Sequence, residues 1–104
     1  MFGLTQDDWQ TVVHLAIEPL IGTYHARTWV FGSRARGDAR PFSDLDILIE
    51  TQEPLAPSVL AEMRAALEDS NLPVKIDLVD LSTLAQSYRD QVLKERVEVS
   101  LNDS

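Results

Sequence analysis

Asp44-Leu45-Asp46 is the first stretch of this chain whose spacing suggests chemistry. In a β-strand, side chains two residues apart share a face and lie about 6.5–7 Å apart along it. Asp44 and Asp46 therefore point one way, while Leu45, Ile47 and Ile49 point toward a core. Two like charges at that spacing repel by roughly 2–3 kcal/mol at an effective dielectric near 20. A purely structural strand has no reason to bear that cost, and a divalent cation between the carboxylates removes it. Hard oxygen ligands, with no cysteine in the chain and no histidine nearby, suit Mg²⁺ or Mn²⁺ and argue against zinc.

Upstream, Val30-Phe31-Gly32-Ser33 places a small turn after an apolar strand. Gly32 lets the backbone turn or lets another group approach closely. Ser33 offers a hydroxyl and an N–H at the start of a short helix, which is the chemistry of a phosphate seat. Arg27, Arg34, Arg36 and Arg40 are four of the nine Lys and Arg residues, with Asp38 the only acid among them. Guanidinium groups pair bidentately with phosphate oxygens, so this cluster fits polyphosphate binding. Taken singly, Arg34, Arg36 and Arg40 read equally well as a solvated loop.

A two-metal phosphoryl-transfer site needs a further carboxylate from a neighbouring strand. In Val74-Lys75-Ile76-Asp77-Leu78-Val79, alternation sets Asp77 on the face opposite Ile76 and Leu78. It joins Asp44 and Asp46 if the two strands are adjacent. Asp80 is the competitor, but it stands where the strand ends and reads as a turn or cap residue.

The elements that must hold these residues follow from periodicity and capping. Thr5 and Asp8 form a capping-box pattern ahead of Trp9, Val12, Val13, Ala16, Ile17, Leu20 and Ile21, which recur at helical spacing. Pro19 interrupts this helix and predicts a kink or an end near Glu18. His14, off the apolar face, and His25, in the following turn, read as solvated. Arg27 to Phe31 is the first expected strand and Asp44 to Glu50 the second. After a linker with two prolines, Pro57 or Ser58 opens a helix to about Asp69 that buries Leu60, Met63 and Leu67. The strand bearing Asp77 comes next, and Ser82 or Asp80 caps a last helix to about Arg96 with Leu84, Ala85, Tyr88 and Val92 buried. Val97 to Leu101 alternates like a short edge strand, and residues 102–104 are expected to fray. The order α-β-β-α-β-α predicts an α+β fold, a small mixed sheet covered by helices on one face with its acidic face left open as a cleft.

The 104 residues predict a single domain, 1–104, with one core. An apolar fraction of 44% and a charged fraction of 25% are those of a globular chain. A formal charge of −8 argues against direct nucleic-acid binding and favours a basic partner. The absence of cysteine fits a reducing cytoplasm. No basic segment leads into an apolar run at the N-terminus and no long apolar stretch occurs, so neither a signal peptide nor a membrane span is expected.

Gly32-Ser33, ten intervening residues and Asp44-Leu45-Asp46, followed by Asp77 on a later strand, resembles the DNA polymerase β-like nucleotidyltransferase superfamily. Within it, the short length and the wording Gly-Ser-Arg-Ala-Arg-Gly resemble the minimal nucleotidyltransferases (MNT), the antitoxin halves of HEPN/MNT toxin–antitoxin pairs. The resemblance implies catalytic Asp44, Asp46 and Asp77 holding two Mg²⁺ ions, or Mn²⁺. Gly32, Ser33, Arg34 and Arg36 would hold the nucleotide phosphates. It implies transfer of AMP from ATP to a hydroxyl, such as a tyrosine of a cognate HEPN ribonuclease toxin, with release of pyrophosphate. The alternative is a non-catalytic antitoxin that neutralises its toxin by occlusion, and the complete acidic triad favours the enzyme. Larger relatives, such as aminoglycoside nucleotidyltransferases, carry a second domain, so antibiotic or RNA modification is the weaker expectation for a chain this short. Phe42 departs from the pattern as a large apolar loop residue and reads as a partner contact.

Overall fold

Four strands form one mixed sheet in the computed structural model, which describes residues 1–101. They are β1 (Arg27–Phe31), β2 (Leu45–Glu50), β3 (Ile76–Asp80) and β4 (Val97–Val99), in the order β3-β2-β1-β4. β2 runs antiparallel to β1 and parallel to β3, and β4 is antiparallel to β1. The expected edge strand is thus β4, while the expectation for residues 102–104 lies outside the described residues.

The N-terminal helical rod packs on one face of this sheet. It consists of α1 (Gln6–Val12), a π-helical turn (Val13–Ile17) and α2 (Glu18–Gly22). Thr5 caps it, its hydroxyl accepting from the Asp8 N–H at 3.1 Å. Pro19 does not end the rod. The Glu18 N–H bonds to the Val13 carbonyl five residues back, and this wider turn delivers Pro19 to the first turn of α2, where a missing N–H is tolerated. Trp9, Val12, Val13, Ala16, Ile17 and Leu20 are all buried on the sheet side. They meet Val30, Leu45, Ile47, Ile49 and Leu78, and α4 (Pro57–Asp69) adds Leu60, Met63 and Leu67 to the same core. β3 forms the outer edge, where Arg64 of α4 donates to the Leu78 carbonyl at 2.8 Å.

The opposite face is not left wholly open. Trp29, Phe31 and Leu48 form a second cluster there with Leu81 and Val92, so one end of the acidic face is roofed. The expected continuous last helix is split. Asp80 caps only a 3₁₀ turn (Leu81–Thr83), accepting from the Ser82 N–H at 2.9 Å and the Ser82 hydroxyl at 2.8 Å. The helix α5 (Gln86–Glu95) begins after Ala85. This later start changes which side faces the sheet: Val92 is fully buried, whereas Tyr88, expected in the core, is 55% exposed. The Trp29 ring is covered instead by the guanidinium groups of Arg96, 3.7 Å from its centre, and Arg27, at 4.7 Å. Among the described residues no helix is long and apolar enough to cross a membrane.

Val92 is the one residue of α5 that is fully buried against the sheet. Removing two methyl groups there should cost about 2 kcal/mol. Urea unfolding of Val92→Ala checks this, and hydrogen exchange should show the loss first in α5.

Candidate active site

β2 and β3 are neighbours, and Asp46 and Asp77 are register partners across that parallel pair. Asp46 also pairs with Phe31 at the end of β1, so the turn that follows β1 lies beside it. Asp44 sits just before β2 and is exposed, whereas Asp46 and Asp77 are half-buried. The sequence therefore brings Asp46 and Asp77 onto one face by strand alternation, and their two strands into contact by the crossover through α4.

Gly32 is placed as the turn reading requires, for a specific reason. Its backbone (φ 76°, ψ −158°) lies in a region that only glycine enters readily. A Cβ at this position would also collide with Oδ2 of Asp46. Ser33 opens the one-turn helix α3 (Ser33–Arg36), which Gly37 ends in the left-handed conformation.

The arginines disperse. Arg27 lies at the far end of β1, opposite Glu50, and makes a bidentate pair with Glu98 at 2.8 and 3.0 Å. Arg34, expected among the phosphate-binding residues, is engaged within the protein. It is only 5% exposed, and its guanidinium donates to the carbonyls of Ser43, Phe2 and Pro41 at 3.0, 2.9 and 3.1 Å. It clamps the loop that enters β2. Arg36 is the one of the four whose charge acts on Asp46; its Nη1 meets Glu95 Oε2 at 2.9 Å and its Nε meets Asp38 at 3.3 Å.

Glu95 is the residue that sequence reasoning missed. It ends α5, and its Oε1 accepts from the Gly32 N–H at 3.1 Å. Its position depends on how α5 packs, and nothing in the residues around it announces that contact. Burial alone would push its carboxyl upward, but hydrogen bonds from Arg36, Gln91 and Gly32 hold it below the usual glutamate range.

Electrostatics single out Asp46. Burial first, then the nearby charges of Asp77, Asp44 and Glu95, push its carboxyl up to about 6, with Arg36 opposing. Among the described residues no three acidic or imidazole side chains already converge as a metal cage. The donor set nevertheless fits Mg²⁺, which takes one or two carboxylates and keeps several waters. The crowding of negative charge at Asp46 is the penalty a cation would relieve.

A mixed sheet that sets a glycine turn against register-paired aspartates on neighbouring strands suits metal-assisted phosphoryl transfer. Residues 24–104 match the family described as polymerase beta, nucleotidyltransferase, and the chain belongs to it. It is similar to the protein adenylyltransferase MntA of Thermococcus cleftensis, 42% identical over 72 residues, which is 67% of this chain and 70% of that protein. The solved structure of a candidate minimal nucleotidyltransferase superposes with a TM-score of 0.64 at 33% identity, covering 88% of this chain and 95% of that one. A toxin–antitoxin crystal structure with AMP-PNP superposes with a TM-score of 0.64 at 25% identity, covering 84% and 73%.

Two outcomes follow from these placements. Arg34→Met should destabilise the fold by about 2–4 kcal/mol, because three part-buried carbonyls lose a charged donor. Arg40→Ala, on the exposed loop, should stay within about 0.5 kcal/mol in the same urea titration. Asp46 binds its proton more tightly in the folded chain than in the unfolded one, so folded stability falls as pH rises through about 6. In EDTA, Asp46→Asn should therefore stabilise the protein near neutral pH. The gain should fade as pH drops through about 6 toward the ordinary aspartate range.

Proposed function

We propose that this chain is the MNT half of a toxin–antitoxin pair, transferring AMP from ATP to a hydroxyl of a HEPN ribonuclease partner, most simply a tyrosine, with release of pyrophosphate. The observation that carries this reading is the register pairing of Asp46 with Asp77 beside the Gly32 turn. The adenylyltransferase name of the Thermococcus relative and the toxin–antitoxin complex with AMP-PNP support it.

In the transfer, the acceptor oxygen attacks the α-phosphorus, the bond from that phosphorus to the bridging oxygen of the β-phosphate breaks, and pyrophosphate leaves. Asp44, Asp46 and Asp77 would hold Mg²⁺, two ions in this reading. When bound, the metal neutralises charge on the transferred group and eases ionisation of the acceptor hydroxyl. Asp77, on the side of Asp46 away from Gly32, orients the acceptor and takes up its proton. Gly32, Ser33 and Arg36 take the β- and γ-phosphates, with Arg36 supplying a bidentate fork. Arg34 contributes indirectly by fixing the loop into β2. A charge of −8 suits a basic partner of the kind that handles RNA, and Phe42, 82% exposed in that loop, offers it an apolar contact. The setting is cytoplasmic, in keeping with a chain that has no cysteine.

Intact-mass measurement of a co-expressed HEPN partner tests the reading. The parent chain should add one or more AMP groups, and Asp77→Asn should lower transfer roughly 10²-fold or more while still binding ATP. A partner that is neutralised yet unmodified by the parent chain would favour occlusion. Full transfer by Asp77→Asn would assign the acceptor side to another carboxylate.

A further inference from the structure

Two of the three groups that the nucleotide reading gives to phosphate oxygens, Gly32 and Arg36, are already engaged by one side chain. Glu95 Oε1 accepts from the Gly32 N–H at 3.1 Å, and Glu95 Oε2 accepts from Arg36 Nη1 at 2.9 Å. Gln91, one turn earlier on α5, donates to the same Oε2 at 3.3 Å. The side chain is only 12% exposed. A carboxylate and a terminal phosphate are both forked oxyanions, and a guanidinium with an adjacent amide binds either one.

A purely structural role fits this position poorly. Glu95 is the last residue of α5, where a negative charge opposes the helix dipole. It also adds to the repulsion felt by Asp46. The attachment of α5 to the sheet is supplied by Val92, with Leu81, Leu84 and Leu93 around it, and does not call for a second anchor of this kind.

Resting on the nucleotidyl-transfer reading, we infer that the Glu95 carboxylate is an internal competitor for the nucleotide. It occupies the position of a phosphate group on Gly32 and Arg36, and it must swing away for ATP to be held there. Nucleotide affinity is then set by the difference between two oxyanions rather than by the seat alone. The backbone of Gly32 and Arg36 belongs to the turn from β1 into α3, so the exchange is one of side chains. The exchange also links nucleotide binding to the end of α5.

Titration calorimetry with α,β-methylene-ATP and Mg²⁺, a non-transferring probe, tests the inference on the whole chain. Glu95→Gln, which removes the charge, and Glu95→Asp, which keeps the charge but falls short of both donors, should each bind about three- to tenfold tighter than the parent. The Gly32 amide should shift in the NMR spectrum of each variant, and the parent should show a Gly32 shift on adding the analogue. Equal or weaker binding by both variants would overturn the inference and make Glu95 a positioning residue for Arg36. Tighter binding by Glu95→Gln alone would reduce the effect to charge repulsion and also overturn it. If parent and both variants all fail to bind while remaining folded by circular dichroism, the nucleotide reading itself falls, and this inference with it.

Discussion

The central position of β2 is the constraint on which the site depends. Its backbone is paired with β1 on one side and β3 on the other, and Leu45, Ile47 and Ile49 are fully buried beneath the helices. Burying such a side chain contributes about 1.5–3 kcal/mol. Three of them outweigh a carboxylate repulsion of roughly 2–3 kcal/mol, the size expected for charges one strand repeat apart. A slip of one residue would push Asp46 into the core and expose the apolar set, so the register that satisfies the core also fixes the acid. The negative charge gathered at Asp46 is thus held in place by packing on the other side of the strand.

Much of this arrangement was legible in the sequence because it depends on alternation, a local signal. Leu45, Ile47 and Ile49 alternate with Asp46, and Ile76 and Leu78 with Asp77, which separates the core face from the acidic one, and α4 declares its apolar stripe and its proline start. The Gly32 turn could be found from composition, although its collision with Asp46 could not. Pro19 was legible as a disturbance, but the chain absorbs it in a π turn instead of ending the helix.

The arginines and the roof over the acidic face were not legible, for different reasons. Arg34 and Arg36 are two residues apart in a helical turn, so they point roughly 200° apart around its axis. One enters the loop interior and the other faces the site, although a charge count treats them alike. The last helix departs from the expected one because Asp80 carries the signature of a cap and does cap a turn, with Ser82 inside it, but that turn stops after three residues. Resetting the start of α5 moved Tyr88 outward and brought Glu95 to Gly32. Local signals fix where elements can begin, and packing decides which of those beginnings is continued.

The mixed character of the sheet also divides the site between two separations along the chain. Gly32 and Asp46 are brought together by the antiparallel pair β1 and β2, a nearly local contact. Asp77 reaches Asp46 only when the chain has crossed through α4 and laid β3 parallel to β2. Contacts of greater sequence separation pay more loop-closure entropy and form more slowly. Asp77 joins Asp46 only through the crossover, so the contact that completes the acidic pair carries the larger loop-closure cost.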